Sequence, residues 1–222
     1  MSKASRGKRG EASVDAVLQS IPNGMLLSDV TLIDEKNGMS HQIDHIFFHP
    51  HGIFVVETKN YRGAFEVDAE GAWLRTCQGE TTRIRNPLYQ NKGHMKQLKR
   101  FLKNADAIVP IIVFVQNNAP YVADENVINL NDLPLFIDSY PYRNLLSVSE
   151  CEAAKAEVET HSANISTREH VDNITYLKAY RKEKEQDMAY AIETGRCPVC
   201  GKPMLKKEFR YKCSACDFHF SL

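Results

Sequence analysis

HQIDHIFFHPHGIFVVETKN, residues 41–60, reads as two apolar strands joined by a turn, yet it carries Asp44, Glu57 and Lys59. With the turn at His49-Pro50-His51-Gly52, Phe48 pairs with Ile53 across an antiparallel hairpin and Asp44 falls opposite Glu57. Directly opposed residues have Cβ atoms about 4.5–5.5 Å apart, where two like charges are destabilising unless a cation lies between them. A divalent metal meets that need. Lys59, two residues past Glu57, points to the same face by the period-two pleat. Residues Ile53 to Val56 run without a polar break into Glu57, as in a central strand, so these charges sit where solvation is poor. Mg²⁺ takes oxygen ligands, typically one or two protein carboxylates with waters and substrate phosphate completing the shell. Such an ion lowers the pKa of bound water, and a neighbouring ammonium can orient a nucleophile or neutralise a phosphate. The competing reading is an ion pair between Glu57 and Lys59 on a solvated strand, with Asp44 a surface acid near the turn.

The surrounding chain limits the possibilities. Its 222 residues, 43% hydrophobic, suffice for one core of domain size and a small appendage. Lys and Arg number 28, as do Asp and Glu, so any attraction to a polyanion must be local. No apolar run approaches the roughly 18 residues of a membrane span. The opening MSKASRGKRGEAS lacks the apolar centre of a secretory signal, so a cytoplasmic protein without a membrane partner is expected.

Helical spacing of Val14, Val17, Leu18 and Ile21 predicts a helix over 10–21, and MLLSDVTLID a strand before the turn at Glu35-Lys36-Asn37-Gly38. AFEVD, AWLRTC and TTRIRN continue the meander beyond the hairpin. Leu88, Met95, Leu98, Phe101 and Leu102 share one side of a helix over 88–103, and AIVPIIVFVQN returns as a buried strand, which suggests a crossover. Past residue 145 two Ser-x-x-Glu capping boxes, Ser149 to Glu152 and Ser166 to Glu169, each precede helical sequence. The second helix should run to about Glu193 and stop at Gly195. The expected domains are 1–145, a helical connector over 146–195, and a terminal module over 196–222.

GE at 10–11, QIDHIFF at 42–48, GIFVVETKNYRG at 52–63 and NPLYQNKGHMKQL at 86–98 resemble, in order, the motifs of the nuclease-related domain (NERD) family, within the PD-(D/E)xK restriction-endonuclease-like superfamily. The resemblance covers residues 10–138 and is most specific at ETKNYRG. It implies an α/β fold with a mixed sheet flanked by helices, and a metal-dependent phosphodiesterase site. It makes Asp44 and Glu57 ligands of Mg²⁺ or Mn²⁺, Lys59 the catalytic lysine, Glu11 a helix-borne acidic partner and Gln90 an accessory polar group. For Glu11 the competing reading is a first-turn acid complementing the helix dipole, and for Gln90 a residue at the border of the buried face.

Arg83, Arg85, Lys92, Lys96, Lys99, Arg100 and Lys103 form a basic stripe with no acid between 83 and 103. They are either a solvated face or contacts to the phosphate backbone of nucleic acid. His41, His45, His49 and His51 raise a transition-metal site, but the pleat turns His45 away from Asp44 and leaves His49 and His51 in the turn. At the C-terminus, Cys197 and Cys200, twelve intervening residues, then Cys213 and Cys216 form two CxxC knuckles suited to tetrahedral Zn²⁺. CPVCGKPM and CSAC resemble topoisomerase-type zinc ribbons, with a shorter central loop. Five Lys or Arg, two acids and the interleaved Phe209, Tyr211, Phe218 and Phe220 suit contact with DNA, although the aromatic residues also suit a small core. The sequence therefore points to a metal-dependent DNA nuclease with a zinc ribbon. A nucleic-acid-binding adaptor with a vestigial site is the alternative.

Overall fold

The computed structural model describes residues 3–122, 126–140 and 146–221. Contacts divide the chain into two compact units, Met1–Ile165 and Ser166–Leu222. The first is built on a five-stranded mixed sheet. β1 (Met25–Ile33), β2 (Ser40–His49) and β3 (Gly52–Lys59) are antiparallel, and β7 (Ile108–Phe114) and β8 (Val127–Asn129) continue the sheet parallel to β3. The hairpin register is the expected one: Phe48 faces Ile53 and His45 faces Val56.

Alternation along β3 divides the core. Phe54 and Val56 pack with Val109, Ile111 and Val113 of β7 beneath Val14 and Leu18 of α1 (Lys3–Ser20). Ile53 and Val55 pack on the other face with Leu98 of α2 (Pro87–Leu98) and Cys151, Ala154 and Val158 of α4 (Val148–His161). α3 (Leu133–Ser139), for which the sequence carried no expectation, adds Leu133 and Ile137 to the α1 side.

Several expectations change. α1 begins by Lys3, so Glu11 lies well inside the helix and a first-turn dipole role does not apply. β4 (Ala64–Val67), β5 (Trp73–Cys77) and β6 (Glu80–Ile84) form a separate three-stranded sheet instead of extending the first. Trp73 anchors it, stacked on Phe114 at 6.4 Å between ring centroids. α2 stops at Leu98, and its buried face includes Asn91, His94 and Gln97, while Met95 and Phe101 are only partly buried. The first capping box belongs to Ser147 and Glu150, two residues earlier than expected.

In the second unit, α5 (Thr167–Thr194) starts at the Ser166–Glu169 capping box and ends on Gly195, whose φ of +65° is the left-handed turn that favours glycine. β9 (Met204–Lys207), β10 (Arg210–Cys213) and β11 (His219–Ser221) then form a small antiparallel sheet. The segment expected as a connector is thus divided, α4 with the first unit and α5 with the second. No helix among the described residues is long and apolar enough to cross a membrane.

Candidate active site

Asp44 precedes His45, whose pairing with Val56 is the last of the hairpin ladder, and its Oδ2 accepts the main-chain N–H of Thr58 at 2.7 Å. That bond seats its carboxylate beside the C-terminal end of β3. Glu57 is buried on the α2 side of the sheet, and Lys59, two residues on, donates from Nζ to Glu57 Oε1. Burial alone would raise the Glu57 pKa, but His94 and Lys59 outweigh it and hold the carboxyl below its usual range. Burial opposes the Lys59 charge, yet Glu57 outweighs it and the ammonium is retained. Asp44 has the opposite fate: burial first, then the Glu57 charge, push its pKa up to about 8. Two carboxyls share a poorly solvated site, and in the absence of a cation only one is readily ionised.

Residues 6–115 match the nuclease-related domain family. They form a nuclease-related domain. An uncharacterized protein of Bacillus anthracis is 29% identical over 143 residues, covering 61% of this chain and 67% of its own. No solved structure matches the chain.

Within the nuclease-related domain, Gln90 lies in the first turn of α2, capped by Asn86 Oδ1, which accepts the Leu88 N–H at 2.9 Å. Gln90, Arg85 and Tyr61 line a cleft of 170 Å³ that also reaches Lys59. Glu11 comes from the other layer: α1 passes the end of β3, and its carboxyl is raised by burial first, then by Asp29, with Asp15 and Glu57 adding smaller effects. It contributes to the field of the site from across the sheet end.

Two residues outside the expected set join the site. His94 brings Nε2 to 3.6 Å from Glu57 Oε2, so the carboxylate lies between Lys59 and a buried imidazole. Asn91 donates to the carbonyls of Val55 and Ile111, both at 3.0 Å, and ties α2 to β3 and β7. Their i, i+3 spacing, one and four positions after Gln90, was the signal in the sequence.

The histidines of 41–51 do not converge on the carboxylates: His49 and His51 stay together at the turn, ring centroids 4.6 Å apart, and the others part. His45 is enclosed on the α1 side, His51 Nδ1 donates to the Ile137 carbonyl at 2.8 Å, and His41 meets Gln97. The basic stripe is heterogeneous. Arg100 pairs with the buried Asp34 at 2.6 Å, whereas Lys92, Lys96 and Lys99 border a groove with Lys36 and Asn37. Arg83, Arg85 and Lys103 are exposed.

Among the described residues, the Cys197, Cys200, Cys213 and Cys216 thiols form a cluster with all ligand atoms within 4.8 Å of one another. Gly201, at φ +71°, turns the first knuckle, and the Ala215 N–H donates to Cys213 Sγ at 3.3 Å in the second. Tyr211 is buried and stacked on Phe220, with centroids 4.8 Å apart. Glu208 and Phe209 form the two-residue turn between β9 and β10, and Phe209 is 71% exposed. The register places Lys207, Arg210, Lys212 and His219 on the solvent side of this sheet.

Proposed function

We propose that the nuclease-related domain hydrolyses phosphodiester bonds of DNA with Mg²⁺ or Mn²⁺, and that the C-terminal module is a zinc ribbon that helps to hold the nucleic acid. The observation that carries this reading is the convergence of Asp44, Glu57 and Lys59 on one face at the end of β3. The donor set fits a hard divalent cation: both carboxyls offer oxygen, and Glu57 Oε2 is buried with no hydrogen bond from any described residue, His94 Nε2 standing off at 3.6 Å. Asp44 and Glu57 would hold the ion, which when bound supplies an activated water and stabilises charge on phosphorus.

The remaining roles belong to side chains present here. Lys59, kept charged by Glu57, faces the Gln90 and Arg85 cleft, where an ammonium neutralises a phosphate oxygen rather than acting as a base. Glu57 holds Lys59 in place, and Gln90 offers an amide to the same phosphate or its water. Glu11 adds negative potential from the α1 side. Lys92, Lys96 and Lys99, with Arg83, Arg85 and Lys103, draw the backbone of the nucleic acid, and the basic face of the ribbon does the same. Four clustered thiols suit Zn²⁺ and a reducing, cytoplasmic setting.

The test is incubation of the purified protein with circular single- and double-stranded DNA in Mg²⁺, Mn²⁺ or EDTA. Cleavage confined to the metal-containing reactions supports the nuclease. DNA binding without cleavage under any of these conditions would make the protein an adaptor.

A further inference from the structure

We infer that Asp15 and His45 are positioning residues, which with Thr58 form a bridge from α1 to β3, centred on the buried His45, that holds the Asp44 carboxylate in its ligand position. The inference rests on the reading of Asp44 as a metal ligand. His45 Nδ1 lies 3.0 Å from Asp15 Oδ1, and its Nε2 lies 3.0 Å from Thr58 Oγ1. A carboxylate at Nδ1 sets the tautomer: Nδ1–H donates to Asp15, and Nε2 is left to accept the Thr58 hydroxyl. Ser28 of β1 donates to the same Asp15 oxygen, which ties a fourth element into the bridge after α1, β2 and β3. The Thr58 main-chain N–H then donates to Asp44 Oδ2 at 2.7 Å.

The path Asp15–His45–Thr58–Asp44 therefore crosses the sheet without a gap. The pleat allows it, because His45 and Thr58 project toward α1 while their neighbours Asp44, Glu57 and Lys59 project toward α2. His45, at the centre of the arrangement, has 0% relative exposure, so no substrate reaches its imidazole and its effect must pass through its neighbours to Asp44. Glu11 precedes Asp15 by one helical turn, so the bolt that seats Asp15 also fixes the height of Glu11 on α1. Partners one shell out from a metal ligand commonly alter affinity by about 10–100-fold when removed.

The test is Mn²⁺ titration of the full chain by electron paramagnetic resonance, with hydrogen exchange at the Thr58 amide followed in metal-free protein. Asp15→Ala and Thr58→Val should each weaken Mn²⁺ binding by about 10–100-fold. Asp15→Asn, which keeps an oxygen for His45 Nδ1–H, should remain near the parent. The Thr58 amide should exchange faster in Asp15→Ala. A contact that served stability alone would lower the melting temperature and leave the affinity of the folded protein unchanged. Parent-like affinity and amide protection in both Asp15→Ala and Thr58→Val, with binding lost in Asp44→Asn, overturns the bridge. If Asp44→Asn binds Mn²⁺ like the parent, the ligand reading of Asp44 fails instead, and unchanged amide protection would then overturn the bridge as well.

Discussion

Gly10 of α1 is in direct contact with Asn60, just beyond β3: a β-carbon on Gly10 would stand 2.7 Å from the Asn60 Cβ. Asn60 Nδ2 also donates to the Arg6 carbonyl at 2.8 Å, so the helix is seated against the strand end by backbone-close contacts. Glycine inside a helix costs about 1 kcal/mol relative to alanine, and here the close approach accounts for it. Gly10→Ala should therefore destabilise, by about 1–3 kcal/mol, in spite of its better helix propensity. Denaturant melts measure it, and a stabilised variant would mean that α1 does not sit on Asn60.

Asp44 predicts a pH dependence. Its native pKa of about 8 lies above the roughly 3.9 of an unfolded chain, so the folded state holds this proton more tightly. The associated stability is complete below about pH 4 and is lost as pH rises through about 8. Asp44→Asn keeps an acceptor for the Thr58 N–H and removes the repulsion from Glu57. In EDTA near pH 8 it should be more stable than the parent by about 1 kcal/mol. Saturating Mg²⁺ should stabilise the parent and leave the variant unmoved. A variant less stable than the parent in EDTA near pH 8 would contradict the paired-carboxylate site.

Arg100 and Lys96, neighbours in the basic stripe, should separate in their effects. The Arg100 guanidinium holds the Asp34 carboxyl far below the usual range, so Arg100→Ala should lower stability by about 1–2 kcal/mol. Lys96→Ala should leave the melt alone and reduce the slope of log affinity for DNA against log salt by about 0.9. Equal salt slopes in parent and Lys96→Ala would remove Lys96 from the interface.

The ribbon predicts one Zn²⁺ per chain, lost when any of Cys197, Cys200, Cys213 or Cys216 becomes Ser. Binding energy in so small a unit is folding energy, so chelation should unfold it while the nuclease-related domain persists. Tyr211→Ala should disrupt the ribbon as well, whereas Phe209→Ala should leave zinc in place and weaken binding to single-stranded DNA by about 1–3 kcal/mol, the usual worth of one stacked base. Metal analysis and binding titrations of the two variants separate core from contact.

How much could be read in the sequence varied with how local the cause was. The hairpin register, from Phe48–Ile53 to His45–Val56, followed from the Pro-His-Gly turn and the alternation around it without reference to any other element. The crossover from α2 to β7 and the Gly195 stop were similarly legible. Residues 3–9, rich in Lys and Arg, have no apolar period, and the seat on Asn60 shows why α1 extends through them. On α2 the buried Asn91, His94 and Gln97 broke the hydrophobic pattern because their partners, the carbonyls of Val55 and Ile111, Glu57, and Asp34, are distant in sequence. The Asp15–His45 contact spans 30 positions and leaves no periodic trace.

Cleavage of circular DNA by the parent and by Lys59→Ala, each in Mn²⁺ and in EDTA and each with DNA affinity measured alongside, tests the central claim most directly. Cleavage that requires metal and falls by more than about 100-fold in Lys59→Ala, with binding within a few-fold of the parent, is the predicted result, since removing a charged group that stabilises a transition state costs about that much. Undiminished cleavage by Lys59→Ala, or cleavage that persists in EDTA, would contradict it.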